Sequence, residues 1–142
     1  MEQVFWLYDA EVGGRPGPGV APWDLSSLRA GGIDVMLSLA TDLFSHTGVV
    51  KAGISRTCTP FPDVLPPDPN VVALCSANLR LTFDFIHSNV EGGRTVLVHC
   101  AGGCDRTGLV LAHYLAIREG LGASDAIASL RAIRSESLSA KG

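Results

Sequence analysis

The chain has 142 residues, 46% of them hydrophobic, and a formal net charge of −3. That is the length of one domain with apolar content ample for a core, which excludes a disordered chain, and the mild acidity supplies no electrostatic footprint for nucleic acid. No stretch approaches the uninterrupted apolar length of a membrane span, and the acidic, early-polar start MEQVFWLYDAEV reads as neither signal nor transit peptide.

In chain order, the apolar and aromatic run VFWLYD (Val4–Asp9) predicts a strand, and EVGGRPGPGVAP after it is so dense in Gly and Pro that it predicts a loop. PWDLSSLRAGG reads as a short helix with apolar positions at Trp23, Leu25 and Leu28 and a Gly-Gly stop. IDVMLSLA is short, continuously apolar and bounded by turn formers, the pattern of a buried strand. TDLFSHTGVVKAG predicts a short helix and a turn, ISRTCTPFP a strand, and DVLPPDP a proline-stiffened loop. From Asn70 to about Val90, Val72, Cys75, Leu79, Phe83 and Ile86 recur at three and four, which predicts an amphipathic helix closed by EGG. RTVLVHC reads as a second buried strand. Two helices follow, from Arg106 to about Glu119 and from Ser124 to about Arg134, the latter opening on a Ser-Asp cap. The small, polar tail from about residue 135 reads as frayed. Strands alternating with helices imply a single α/β domain over residues 1–142, with a central, mostly parallel, twisted sheet flanked by helices on both faces. In such sheets ligands bind beyond the carboxyl ends of strands, and HCAGGCDRTG lies at such an end.

The loop after Val98 has the makings of an anion site. Gly102 and Gly103 let the backbone curl, so that the N–H groups from Ala101 through Gly102, Gly103, Cys104 and Asp105 to Arg106 converge on one point. The helix starting near Arg106 adds the positive end of its dipole, and Arg106 a planar bidentate fork suited to a tetrahedral oxyanion. A cysteine at the base of such a nest has its thiolate stabilised, and Cys100 is there. An oxyanion cradle floored by a thiolate is a nucleophilic phosphate site. A zinc site from His99, Cys100, Cys104 and His113 fits poorly, because C-x₃-C is an unusual ligand spacing and Arg106 would sit beside the metal. No metal or other cofactor is expected.

HCAGGCDRTG resembles the HCxxGxxR[ST]G signature of the cysteine-dependent protein tyrosine phosphatase superfamily. The order strand, Pro-Asp loop, long helix, strand, signature and two helices looks like the compact dual-specificity branch along nearly the whole chain. The resemblance implies that Cys100 is the nucleophile and Arg106 the phosphate and transition-state clamp. It likewise implies that His99 orients and stabilises the thiolate, and that Thr107 hydrogen-bonds the sulfur and assists hydrolysis of the phosphocysteine. It implies a general acid on a loop a few dozen residues before the cysteine, where Asp63 stands in TPFPDVLPPDP, with Asp68 as runner-up in the same loop. Asp105 departs from the dual-specificity pattern. Asp-Arg-Thr resembles myotubularin-like, Sac-like and bacterial tyrosine/lipid phosphatases, some of which draw the acid from the loop itself. Asp105 is then either a donor or a holder of Arg106.

Phosphoinositide phosphatases of the superfamily carry loop lysines where this chain has Ala101 and Cys104, which weakens a lipid or inositol-phosphate reading. A phosphorylated protein or small phosphomonoester is the expected partner, and a non-catalytic phosphate-binding module is the reading from another class. Cys104 is either a resolving thiol for Cys100 or a small packing residue. Arg15 is either a residue at the cleft mouth or a solvated loop arginine. Cys58, Cys75, Cys100 and Cys104, at irregular spacings, read as reduced thiols of a cytoplasmic protein, and a monomer is expected.

Overall fold

The computed structural model describes residues 3–40, 46–62, 69–102, 105–135 and 137–138, with backbone only for 69–73. Among the described residues the strands are β1 (Phe5–Tyr8), β2 (Val12–Arg15), β3 (Val35–Ser38), β4 (Ser55–Cys58) and β5 (Val96–His99). They form one sheet in the order β1-β2-β5-β3-β4, antiparallel only between β1 and β2. The helices among the described residues are α1 (Leu25–Ala30), α2 (His46–Lys51), α3 (Pro69–Glu91), α4 (Asp105–Glu119) and α5 (Ala123–Ile133).

The continuous apolar runs at β3 and β5 have the physical meaning their sequences suggest. All four residues of each are buried, because helices cover both faces of a parallel sheet. Successive side chains alternate between those faces. Val35, Leu37, Val96, Val98 and Cys100 pack with Ile86 of α3, Leu111 and Tyr114 of α4 and Leu130 of α5. Met36 and Leu97 point the other way, into a smaller cluster with Leu28 of α1, Val49 of α2, Ile33 and Ile54. Fully burying side chains of this size stabilises the fold by about 1.5–3 kcal/mol each. Helix α1 starts where Asp24 accepts a hydrogen bond from the Ser27 amide at 3.1 Å.

Three elements differ from the sequence expectation. The first is β2, which lies inside the stretch predicted as loop. Its two glycines are required by close approach: a Cβ on Gly13 would lie 2.6 Å from the Phe5 carbonyl oxygen. One on Gly14 would meet the Phe5 ring at 2.6 Å and Thr107 at 3.0 Å. Glycine here marks crowding rather than a turn. The second is the start of α5, where Gly122 is the cap and makes no side-chain hydrogen bond, while Ser124 and Asp125 fall inside the first turn. The third is the tail, where residues 137–138 are packed rather than frayed. Ser137 is buried, Leu138 lies where a Cβ on Gly108 would touch it at 3.1 Å, and Arg131 donates to both the Ser137 and Leu138 carbonyls at 2.9 Å.

The antiparallel edge strand is fastened by polar contacts as well as by the sheet. The Arg118 guanidinium lies 3.6 Å over the Tyr8 ring and donates to Glu11 at 3.3 Å, while the Tyr8 hydroxyl donates to Glu119. These contacts tie β1 and its turn to the end of α4.

Because the Gly13 Cβ position is blocked by backbone oxygen rather than by a movable side chain, Gly13→Ala is expected to lower stability by about 1–3 kcal/mol. Urea unfolding followed by circular dichroism measures this, and a wild-type midpoint would show that β1 and β2 are farther apart than described.

Candidate active site

Strand β5 is central, and its carboxyl end delivers Cys100 directly into the loop that precedes α4. Cys100 is fully buried, with Thr107 Oγ1 donating to its sulfur at 3.1 Å. Thr107 stands in the first turn of α4 and is itself buried, so its hydroxyl is committed to the sulfur from a rigid element. Asp105 and Arg106 open the same helix, both half-buried, and place a carboxylate and a guanidinium beside the loop. A carboxylate in a helix's first turn interacts favourably with the dipole.

Two other parts of the chain hold the loop from outside. Gly17, just beyond β2, donates its amide to the Ala101 carbonyl at 2.8 Å, and Arg134, at the end of α5, donates to the Gly102 carbonyl at 3.4 Å. Arg134 also stacks 4.7 Å over the Phe5 ring. Arg15 occupies neither of the places the sequence offered for it. It ends β2, is 1% exposed, donates to the carbonyls of Pro16 and Ala21 at 3.0 Å, and lies 5.6 Å from the Trp23 ring. It organises the segment that carries Gly17.

His99 is on the opposite face of the sheet from Cys100. Its ring is fully buried, edge-on to Trp23 at 5.1 Å, with Nε2 2.6 Å from Ser38 Oγ and Nδ1 3.3 Å from the Cys100 carbonyl oxygen. Burial pushes its pKa down to about 4, with the positive charges of Arg56 and Arg15 acting in the same direction and the Cys100 carbonyl acting against them. The imidazole is therefore neutral near pH 7, and it meets its neighbours through hydrogen bonds rather than through a positive charge.

Of the residues singled out in the sequence, the structure brings together His99, Cys100, Ala101, Gly102, Asp105, Arg106 and Thr107. Asp63, Asp68, Gly103 and Cys104 lie outside the described residues. The chain entering the Asp63 loop is fixed at the carboxyl end of the sheet: the Phe61 amide donates to the Leu39 carbonyl at 2.9 Å, and Asn78 of α3 donates to the Pro60 carbonyl at 2.8 Å. Sequence reasoning missed Ser38, Arg56, Gly17 and Arg134. None belongs to a motif, and only the tertiary structure joins them to the loop. Among the described residues no group of three or more His, Cys, Asp or Glu side chains is arranged to hold a metal ion.

A parallel α/β sheet with a cysteine at the end of its central strand, a glycine loop and an Arg-Thr helix start defines a cysteine-dependent phosphatase architecture. The family model for the dual specificity phosphatase catalytic domain matches residues 24–141, and the chain belongs to that family. It is 32% identical over 104 residues to the tyrosine-protein phosphatase cdcA of Emericella nidulans, an alignment covering 72% of this chain and 16% of that protein. The chain thus spans about a sixth of that relative's length. Among solved structures, Tk-PTP in its active form superposes with a TM-score of 0.80 at 25% identity, covering 96% of this chain and 88% of the other. Human DUSP28 superposes at 0.74 and 16% identity, with 96% of this chain and 84% of the other covered, a likeness of fold.

The buried neutral His99 makes stability depend on pH. In the unfolded chain its pKa is the ordinary 6.5, and in the folded chain about 4. As pH falls below about 6.5 the unfolded state binds a proton that the folded state declines, so this stability is present above 6.5 and is lost on acidification. The loss is up to about 1.4 kcal/mol per pH unit, about 3 kcal/mol in all. His99→Asn is expected to flatten that part of the curve. Urea unfolding of both proteins near neutral pH and near pH 4 checks this, and equal pH dependence would mean that folding leaves the His99 pKa at its ordinary value.

Proposed function

We propose that this chain is a phosphomonoester hydrolase working through a phosphocysteine, with phosphotyrosine and phosphoserine or phosphothreonine of proteins as its substrate class and the cytoplasm as its place of action. The observation that supports it best is Thr107 Oγ1 donating at 3.1 Å to a buried cysteine sulfur at the foot of a helix that begins Asp-Arg-Thr. Such a donor favours the anionic sulfur both as nucleophile and as leaving group.

The reaction on this reading has two steps. The Cys100 thiolate attacks phosphorus while the Arg106 guanidinium and the loop amides hold the equatorial oxygens. The P–O bond to the substrate breaks, and the departing oxygen takes a proton from Asp63, leaving phosphocysteine and an aspartate carboxylate. Water then attacks the phosphocysteine, giving its proton to the same carboxylate. The P–S bond breaks to release phosphate, with Thr107 receiving the thiolate in its hydrogen bond. Asp63 is supported as the acid by the anchoring of Pro60 and Phe61 at the carboxyl end of the sheet, the end at which Cys100 lies.

Cys100→Ser is expected to abolish turnover of an aryl phosphate while leaving vanadate affinity within a fewfold of wild type, because the nest is built from backbone and Arg106. Steady-state kinetics and vanadate titration of the two proteins check it, and appreciable turnover by the serine variant would exclude covalent catalysis through Cys100.

The identity of the acid is read from leaving-group dependence, since a good leaving group departs without a proton. Asp63→Asn is expected to slow phenyl phosphate hydrolysis by about 10²-fold or more and an acidic-phenol ester much less. Asp105→Asn should slow both alike through Arg106. The reverse pattern would assign the acid to the loop and move the enzyme toward the myotubularin-like mechanism.

A further inference from the structure

Ser38 lies in a strand that the sequence reads only as core, yet its hydroxyl is fully buried between polar partners. The sheet register sets it level with His99 of β5 on one side and Cys58 of β4 on the other. Ser38 Oγ is 2.6 Å from His99 Nε2 and accepts from Arg56 Nε at 2.9 Å. Among the described contacts, the donors and acceptors in this row have one consistent assignment. The Cys100 carbonyl can only accept, so His99 Nδ1 carries the proton. The neutral ring then presents Nε2 as an acceptor, and the Ser38 hydroxyl donates to it. Arg56 can only donate, so it occupies the acceptor side of the hydroxyl and fixes the direction of the chain. The order is Arg56 to Ser38 to His99 to the Cys100 carbonyl.

We propose that Arg56 and Ser38 are positioning residues for the nucleophile, holding the His99 ring in one tautomer so that it grips the Cys100 carbonyl and thereby aims the Ala101 amide into the anion nest. This inference rests on Cys100 as nucleophile. The peptide between Cys100 and Ala101 is planar and trans, so its C=O and N–H point in opposite directions. His99 and Cys100 side chains occupy opposite faces of the sheet. Drawing the carbonyl toward His99 turns the amide toward the side on which the Cys100 sulfur lies, where the bound oxyanion must be. Among the described residues, the groups facing the ring from the elements packed around it are Arg56 of β4, Ser38 of β3, Arg15 of β2 and Trp23 before α1. The two arginines oppose a second proton on the ring, and the Ser38 hydroxyl selects which nitrogen keeps the single one.

The test combines a spectroscopic readout with an anion-binding one. Long-range ¹H–¹⁵N spectra of the full chain at neutral pH are expected to show His99 protonated at Nδ1 alone. In Ser38→Ala, Nε2 loses its donor, the two tautomers mix, and vanadate inhibition weakens about tenfold, as expected for one misaligned hydrogen bond. Ser38→Thr keeps the hydroxyl and restores both readouts. Arg56→Met, on the edge strand, shifts both in the same direction and carries the test alone if the alanine variant does not fold. A folded Ser38→Ala protein with the wild-type tautomer and wild-type vanadate inhibition would overturn the proposal. Turnover by Cys100→Ser would instead overturn the reading on which it rests, whatever Ser38 does.

Discussion

The register of the parallel strands is the constraint on which the site depends. It sets Arg15, His99, Ser38 and Cys58 in one row across β2, β5, β3 and β4, at the last rung before the chain leaves the sheet. A slip of one residue in β5 would exchange its two faces, sending His99 into the α3–α5 side and Cys100 toward α1 and α2. The buried apolar residues on both faces hold the register: Val96 and Val98 on one side, Leu97 on the other. The position of Cys100 is thus a by-product of core packing, set by apolar side chains elsewhere in the strands.

Upon that frame the loop is braced from several directions. Thr107 reaches the sulfur from the helix that the loop opens, and Gly17 and Arg134 take the Ala101 and Gly102 carbonyls from outside. The two-glycine strand β2 makes the first of these braces possible. With side chains at Gly13 and Gly14, Phe5 and Thr107 would be displaced, and Thr107 is the residue that touches the sulfur. Crowding at an edge of the sheet and chemistry at its end are therefore one packing problem.

The electrostatics follow the same economy. The chain is acidic, with 14 Asp and Glu against 11 Lys and Arg. Yet Arg106, Arg134, Arg56 and Arg15 all lie at or beside the loop and its row, each on a different element. Guanidinium groups gathered near one strand end make that end locally more positive than the net charge of the chain implies. Burial, with Arg56 and Arg15 acting in the same direction, keeps His99 neutral, so that the ring meets its neighbours through hydrogen bonds.

The sequence by itself determined the local chemistry: the buried strands at Val35–Ser38 and Val96–His99, the long helix ahead of the second, and the loop in which Cys100, Arg106 and Thr107 stand at fixed spacing. These are legible because hydrophobic period, glycine content and motif spacing are properties of contiguous residues. The tertiary structure decided what depends on distant neighbours. Gly13 and Gly14 form a strand because Phe5 and Thr107 approach them, although glycine's own preference is for turns. Leu138 packs against the core and its carbonyl accepts from Arg131, although the tail's composition is that of a frayed end. Ser38 and Arg56 become polar partners of His99 only because three strands align there, and separations of 61 and 18 residues along the chain leave no periodic trace. Pairing between strands is a long-range choice set by the packing of whole faces, and no window of sequence contains both partners.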